Sequence, residues 1–231
     1  MPNRKAHAEE VHTRPFSTLA LRPKAGTEGL GLDLITPLSR RVNLRGGFSL
    51  FNGGVNPTIS DIDVKGHVHL AAASMELDLH PFGNGFRISP GVTLFNDSHV
   101  TGSGVIPVST AVSFNGVDYN GSPSDPMRGS STIVLGNKIG PRLTMGWGNF
   151  IPHREGSHFA MPFEIGAQYV GAPTIFLSMN GSACDAQGNC GALALDADAQ
   201  KNIQMEAVKL NADYKGLAFV PILSMGVSYK F

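Results

Sequence analysis

The carboxy-terminal segment, FVPILSMGVSYKF, constrains the fold more than any other part of the chain. One set of alternating positions, from Phe219 to Phe231, is apolar or aromatic throughout, and the other set includes Ser224, Ser228 and Lys230. A period of two is the period of a β-strand with two unlike faces. The sequence therefore predicts a strand here, with one strongly apolar face.

The composition favours strands joined by turns over helices. Only 16% of the 231 residues are charged, and the chain contains 28 Gly and 15 Pro. A chain of this length fits one large all-β domain. The net charge is zero, so no nucleic-acid partner is expected. No apolar run approaches the roughly 18 residues of a transmembrane helix, but a membrane strand needs only about 10 alternating residues.

Seven further segments alternate in the same way, and we interpret each as a strand. They are 15–22, 29–35, 41–51, 62–79, 86–96, 131–148 and 159–171. In 62–79 the apolar residues change from even to odd positions, which predicts a bulge near Ala71 to Ser74. With the terminal segment, the sequence predicts eight strands.

The connections differ in length at the two ends of these strands. The segments 36–40, 80–85 and 149–158 are short and fall at one end, whereas 52–61, 102–130 and 172–216 are longer and fall at the other, together with the link 23–28. Short turns at one rim and long loops at the other are typical of outer-membrane barrels. The fold class we predict is an all-β, eight-stranded antiparallel up-and-down transmembrane β-barrel.

The long loops carry three local signals. Asn115-Gly116, between alternating residues, predicts a tight hairpin. The segment 195–214 places Ala199 and Ile203 on one helical stripe, which predicts a short helix in the last long loop. Cys184 and Cys190 lie in a Gly/Asn-rich loop that favours a disulfide over two free thiols.

Alternation alone does not say which face points inward, because a soluble ligand-binding barrel has the same period with the opposite polarity. Aromatic residues favour the membrane. On the last strand Phe219 lies at one end and Tyr229 and Phe231 at the other, with an aliphatic stretch between them. About twelve residues in a strand tilted by about 40° span roughly 30 Å, close to the hydrocarbon thickness of a bilayer.

The terminal motif GVSYKF and the segment VNLRGGFSLF resemble those of the small eight-stranded outer-membrane barrels of the OmpA and OmpX kind. The eight alternating segments extend this resemblance over about 16–231. It implies that Tyr229 and Phe231 form the signal read by the barrel-assembly machinery, and that outer-membrane lipid surrounds the barrel. It also implies that the polar face lines a narrow lumen.

The predicted lumen residues form a charge network in which acids and bases pair. Eight strands leave just enough room for side chains, and unpaired charges in a dry interior are costly. Pairing of this kind plugs the barrel. The predicted network consists of Asp33, Arg45, Glu76, Asp78, Arg87, Arg142 and Glu164.

The search for reactive groups gives no firm site. His67 and His69 lie two residues apart near Asp61 and Asp63, where we expect solvated histidines and no metal. No cofactor-binding motif is present, and no cofactor is expected.

Some outer-membrane barrels are lipid A enzymes that use a His and a Ser, so an enzyme remains the alternative function. His99 and His158 each follow a serine, Ser98 and Ser157. Such groups meet only across strands, and sequence spacing does not pair them.

The expected role is therefore structural, or an interaction at the cell surface through the long loops 102–130 and 172–216. A lipid A deacylase-like enzyme, a narrow pore and a soluble carrier remain alternatives. We expect residues 1–14 to be disordered and 15–231 to form the barrel domain. The expected location is the bacterial outer membrane, although residues 1–16 contain no apolar stretch typical of an export signal.

Overall fold

A computed structural model describes residues 14–59, 62–83, 85–108, 110–136, 139–151, 156–184 and 189–231. Most of the predicted disordered segment, residues 1–13, therefore lies outside the described residues. Within the described part the protein is all-β and antiparallel, with one α-helix, which confirms this part of the predicted fold class.

The elements in chain order are β1 (Ala20–Gly26), β2 (Gly29–Ser39), β3 (Val42–Val55), β4 (Thr58–Ile59), β5 (Ile62–Leu79), β6 (Phe86–Asn96), β7 (His99–Val105), β8 (Val112–Phe114), β9 (Val117–Gly121), β10 (Arg128–Val134), β11 (Gly140–Trp147), β12 (Phe159–Ala160), β13 (Phe163–Tyr169), β14 (Thr174–Asn180), β15 (Ser182–Cys184), β16 (Cys190–Ala192), α1 (Ala197–Asp213), β17 (Phe219–Gly226) and β18 (Ser228–Lys230). Short 3₁₀ turns, Leu193–Leu195 and Tyr214–Gly216, flank α1.

Eight antiparallel pairings form a closed circuit, which we call the ring. From β1 the hydrogen-bonded neighbours are β2, β3, β5, β6, β11, β13 and then β17, which with β18 pairs back to β1. Closure removes the free edges that a sheet otherwise exposes. The connections from β2 to β3, from β5 to β6 and from β11 to β12 leave the ring at one end, the short-turn end, and the longer connections leave it at the other.

The ring turns its apolar residues outward. Leu32 is 49% exposed, whereas its neighbour Asp33 is completely buried. The same alternation runs along the other ring strands, so the exterior is an apolar belt. Its exposed members include Leu30, Leu34, Phe48, Leu50, Met75, Leu77, Leu94, Leu143, Met145, Ile165, Leu223 and Met225.

Aromatic side chains lie at both ends of the belt. At the short-turn end the Phe86 and Trp147 rings are 5.0 Å apart, and Phe159 lies 5.0 Å from Tyr229. At the other end Tyr169 contacts Phe219, with 5.3 Å between the ring centroids. Aromatic side chains at the two edges of an apolar band are typical of a bilayer's interfaces.

Seven of the remaining strands, β7 to β10 and β14 to β16, form a lobe beyond the longer-connection end. We define the lobe as the described residues of 99–134 and 174–216. The outer part of β5 pairs with β7, β7 with β10 and β10 with β14, and we call these four strands the outer sheet. The lobe has its own apolar core, which includes Phe114, Met127, Leu193 and Ile203. No helix among the described residues is long and apolar enough to cross a bilayer.

Helix α1 lies against the outer sheet. Asp196 caps its amino terminus by accepting hydrogen bonds from the backbone of Asp198 and Ala199. Asn211 binds the edge strand β14: its Oδ1 accepts from Ile175 N at 2.8 Å, and its Nδ2 donates to Ile175 O at 3.0 Å. The predicted helix in the last long loop is confirmed.

The bulge predicted within 62–79 is wrong. The register of β5 against β6 does shift between Ala73 and Ser74, but the extra residue is Leu94 of β6, and β5 pairs with β3 without a break. The apolar residues of β5 therefore change from one face of the strand to the other. Strands β8 and β9 form the expected hairpin, with Asn115 and Gly116 both in the left-handed region (φ 52° and 79°).

Three further expectations need correction. The described residues form eighteen strands, not eight, because the predicted long loops contain strands of their own. The segment 131–148 is two strands in different parts of the sheet, since the chain turns at Gly136, where φ is 74°. The first strand begins at Ala20 and continues through Pro23 to Gly26, so 23–28 is mostly strand.

We expect Gly166→Ala to destabilise the ring, because β13 and β11 approach closely there. A Cβ at Gly166 would lie 2.2 Å from Leu143 O, a backbone atom that cannot move freely. Overpacking of this kind costs about 1–3 kcal/mol of unfolding free energy. Urea titration of the refolded protein measures it.

Gly46→Ala is the matched control, because nothing lies within 4 Å of a Cβ at that position. Its stability should equal that of the parent or rise slightly, since Gly in a strand is entropically unfavourable. Equal losses in the two variants would contradict the close approach.

Candidate functional site

The candidate site is the interior of the ring, where period-two alternation brings the charged residues together. In β2, β3, β5, β6, β11 and β13 the side chains opposite the apolar belt point inward. Arg45, Glu76, Asp78 and Glu164 come from three different strands and are each no more than 1% exposed. Burial of so many ionised groups is tolerated only when they are paired.

Arg45 is the centre of the interior. Its guanidinium lies 2.8 Å from Glu164 Oε2, 3.1 Å from Asp78 Oδ1 and 3.6 Å from Asp33 Oδ2. It also forms an ion pair with Glu76. One cation thus contacts carboxylates carried by three other strands, so the interaction ties distant parts of the ring together.

A second group of contacts surrounds Asp33. Arg22 Nη1 lies 2.9 Å from Asp33 Oδ2, and Lys24 Nζ lies 2.8 Å from Asp33 Oδ1. Arg22 also donates a hydrogen bond to Ser224 Oγ at 3.1 Å. Strand β1 is therefore joined through the interior to β2 on one side and to β17 on the other.

Two further arginines complete the charge network. Arg142 Nε lies 2.8 Å from Glu76 Oε1, and Arg142 Nη1 lies 3.2 Å from Glu28 Oε1. Arg87 Nη2 lies 3.4 Å from Glu164 Oε2, and Arg87 Nη1 donates to Gly148 O at 2.7 Å. Arg87 therefore also binds the turn that closes the short-turn end.

Phe150 places an aromatic ring among these cations. It lies in the turn after β11 and is completely buried. Its ring centroid is 3.8 Å from the guanidinium carbon of Arg87, 4.8 Å from that of Arg45 and 4.9 Å from that of Arg22. Cations over an aromatic face are attracted by its quadrupole, more strongly when water is excluded.

The charges in this part of the interior balance. Five cations face five carboxylates, so the formal charges sum to zero. The cations are Arg22, Lys24, Arg45, Arg87 and Arg142, and the carboxylates are Glu28, Asp33, Glu76, Asp78 and Glu164. The contacts among these ten described side chains are ion pairs and hydrogen bonds within a buried, formally neutral group.

All seven residues predicted for the network lie in the ring interior. Each contacts at least one side chain of opposite charge. Sequence reasoning missed Arg22 and Lys24, although they alternate with Leu21 and Pro23 and the same period could have found them. Phe150 was also missed. It lies in an irregular turn, and no periodic signal points to its side chain.

The predicted assembly signal lies at the short-turn end. Tyr229 and Phe231 have ring centroids 5.0 Å apart, and Phe231 is 64% exposed. The backbone N–H of Phe231 donates to Leu19 O at 3.0 Å. These contacts leave the aromatic surface open, and its role in assembly stays a prediction.

The disulfide between Cys184 and Cys190 is confirmed. It joins β15 to β16 in the lobe, where the two cysteines are directly opposite each other in the register. It closes a hairpin at the outer part of the lobe.

The histidines lie away from the charge network. His69 and His99 are cross-strand partners with rings 4.9 Å apart, and His158 Nδ1 contacts Lys230 O at 2.9 Å at the short-turn end. His99 and His158 are therefore at opposite ends of the ring. No group of three metal-ligating side chains occurs among the described residues, and Asp61 lies outside them.

Comparison with known proteins shows the fold. No family model and no curated protein matches the sequence. Among solved structures, CarO2 of Acinetobacter baumannii has a TM-score of 0.64 at 18% identity, over 94% of this chain and 100% of that chain. CarO of the same organism has a TM-score of 0.58 at 18% identity, over 94% and 98%.

A major outer membrane protein of Thermus thermophilus aligns with a TM-score of only 0.35 at 13% identity, over 93% of this chain and 100% of that chain. That score is below the level of a shared fold. The two CarO structures therefore carry the likeness, and at their identity it concerns the fold alone.

We expect Arg45→Met to destabilise the protein by about 3–5 kcal/mol, because it leaves buried carboxylates without their shared cation. Urea titration of refolded protein measures this. Arg41→Met is the control: it removes an arginine from the exposed turn between β2 and β3 and should change the unfolding midpoint little. Equal midpoints for the two variants would mean that the network does not stabilise the ring.

Proposed function

We propose that the protein is an outer-membrane protein whose ring is an eight-stranded transmembrane β-barrel, closed to ions, that presents the lobe at the cell surface for interaction. The observation that carries this proposal is the polarity of the ring. Large apolar side chains are exposed outside, while ten charged side chains lie paired inside. This is the reverse of a water-soluble protein.

The exposed belt supports a lipid surrounding. Soluble monomers rarely expose a contiguous apolar patch larger than a few hundred Å². Here the apolar side chains encircle the ring, from Leu30 on β2 to Leu223 on β17. A soluble carrier would place the residues of this belt around its ligand cavity, so we set that alternative aside.

The direction of insertion follows from the connections. Outer-membrane barrels have short periplasmic turns and longer extracellular loops. The termini of the ring and its short turns share one end, and the lobe lies at the other. The lobe would then face the cell exterior, where a folded structure with its own core offers a surface to a partner.

The packed interior supports a closed barrel. Eight strands enclose a space just wide enough for side chains. Here that space contains the charge network and the aromatic side chain of Phe150, which comes from the turn at the short-turn end. Opening an ion path would require charges to separate in a low-dielectric environment.

The enzyme alternative has less support. Ser98 Oγ accepts a hydrogen bond from Ala71 N, and Ser157 Oγ donates to Phe159 O. Neither hydroxyl is paired with His99 or His158 among the described contacts. We therefore propose a surface-interaction role in preference to lipid modification.

Refolding into detergent tests the barrel and its closure together. The folded chain should migrate differently on a gel before and after boiling, and in planar bilayers it should produce no discrete current steps. The combined variant Arg45→Ala/Phe150→Ala removes the central cation and the aromatic side chain, so it should produce current steps. It serves as the control that the recording can detect an open path. Steps from the parent protein would overturn the closed barrel, and no boiling-dependent shift would overturn the barrel itself.

Leu223→Arg tests the lipid contact. A lipid-facing arginine near the membrane midplane costs about 2–4 kcal/mol of unfolding free energy. The control Val208→Arg changes an equally apolar, 69% exposed residue on helix α1 of the lobe and should have almost no effect. The measurement is urea unfolding in lipid vesicles. Similar stabilities of the two variants would place Leu223 outside the hydrocarbon.

A further inference from the structure

The outer sheet has two faces of opposite character. In one cross-strand row Lys65 is opposite Ser103, Ser103 opposite Ser130, and Ser130 opposite Ser178. These four residues are exposed. The residues between them along the strands, such as Val64, Gly104 and Met179, lie on the other face and are less exposed.

The exposed face is rich in hydroxyl groups and carries two cations, and we call it the hydroxyl face. Its defining residues are Lys65, Thr101, Ser103, Arg128, Ser130 and Ser178. It contains a shallow depression of about 310 Å³ that is bordered by four of these residues, Lys65, Ser103, Arg128 and Ser130, and by Asp63, Asn180 and the exposed Val105. The depression gives the face a concave centre.

The hydroxyl face continues the outer surface of the ring. Strand β5 pairs with β3 without a break from Leu79 to Gly66, so odd-numbered residues of β5 stay on one side of that pair. On that side Met75 belongs to the apolar belt, and Lys65 belongs to the hydroxyl face. The change from apolar to hydroxyl-bearing side chains thus occurs along a single strand.

The height of the face above the belt is also defined. Ala73 is opposite Phe95, an exposed aromatic residue of the belt. Lys65 is eight residues farther along β5, which is about 26 Å along the strand and, at a tilt of about 40°, about 20 Å along the membrane normal. If the belt is in hydrocarbon, this distance places the hydroxyl face at the level of lipid headgroups that project from the outer leaflet.

We propose that the hydroxyl face binds the phosphorylated sugar headgroup of the outer-leaflet glycolipid, lipopolysaccharide. The inference rests on the proposed function, since it requires the ring to lie in the membrane with the lobe outside. Under this proposal, the partner of the lobe is the lipid that surrounds the barrel.

The donors on this face match such a headgroup. Serine and threonine hydroxyls both donate and accept, as sugar hydroxyls do. Lys65 forms no ion pair with a described residue, and Arg128 has only a solvent-exposed contact with Asp125 at 3.6 Å. Both cations are therefore available for the short charge-assisted hydrogen bonds that phosphate oxygens accept.

A hydroxyl orients the one acid in the depression but leaves its negative charge in place. Asp63 Oδ1 accepts a hydrogen bond from Thr58 Oγ1 at 3.0 Å. A protein partner fits this face less well, because protein interfaces usually have a buried aromatic or aliphatic centre. Here the row across the middle of the sheet is hydroxyl-bearing from Ser103 to Ser178. Two exposed apolar residues of this face, Val105 and Phe176, lie in separate rows on either side of it and do not form a continuous apolar centre.

Binding of purified lipopolysaccharide to the full chain, refolded in detergent, tests the proposal. We expect saturable binding that Lys65→Ser/Arg128→Ser weakens by about tenfold or more, because the charge-assisted hydrogen bonds to the phosphate groups are lost. The control Lys201→Ser/Lys209→Ser removes two exposed cations from helix α1 and should stay within about twofold of the parent.

Two further probes separate the sources of affinity. Ser103→Ala/Ser130→Ala should weaken binding while leaving the charge unchanged, and phosphatidylglycerol in the same detergent should bind more weakly than lipopolysaccharide. The proposal would be overturned in favour of general charge attraction if Lys65→Ser/Arg128→Ser and Lys201→Ser/Lys209→Ser weakened binding equally. Equal binding of phosphatidylglycerol and lipopolysaccharide would overturn it in the same way. A parent protein that shows the boiling-dependent gel shift but does not bind lipopolysaccharide would overturn this inference and leave the barrel intact.

Discussion

The pairing of buried charges around Arg45 is the interaction on which the rest of the structure depends. An apolar exterior leaves the polar face of every ring strand pointing inward, where ionised groups lose their hydration. Arg45 compensates by contacting Asp33, Asp78 and Glu164 on three other strands. Asp33 and Asp78 lie on the two strands that pair with β3, whereas Glu164 on β13 comes within reach only when the ring is closed. The closed ring is in turn tolerable only when these charges are paired. The closure of the ring and the pairing of these charges therefore depend on each other.

Phe150 extends this interaction to the end of the ring. A turn would normally lie at the surface, but this one directs a large side chain inward between Arg87 and Arg22. The aromatic ring fills space that ion pairs alone would leave to water, and its face interacts favourably with the guanidinium groups. Arg87 also binds the backbone of the same turn through Gly148 O. The turn and the interior thus hold each other in position.

Much of the ring could be predicted from the sequence because its signal is local. Alternation identifies the face of each strand, so residues such as Asp33 and Glu164 could be assigned to one side without knowledge of their partners. The partners themselves depend on register between strands far apart in the chain. The final part of 131–148 belongs to the ring and its first part to the lobe, and among the described residues between them Gly136 has a left-handed backbone. Alternation also continues through both parts, so it cannot mark the boundary.

The lobe was harder to predict for a related reason. Its strands are three to seven residues long, which is too short for a clear periodic pattern, and β9 pairs with β15 across more than sixty residues of sequence. The helix was visible because 195–214 has a helical stripe, and the hairpin because Asn115-Gly116 suits a tight turn. No local pattern indicates that the helix and the hairpin share one core, in which Phe114 and Ile203 lie together.

Asn211 has a consequence for how copies of the protein can meet. Strand β14 is the last strand of a sheet that does not close, and such an edge can recruit a strand from a neighbouring molecule. The amide of Asn211 occupies both backbone groups of Ile175, as a neighbouring strand would. This contact occupies the backbone groups that strand pairing at Ile175 would use, so we expect crowded copies of the protein to be less able to join edge to edge at that residue.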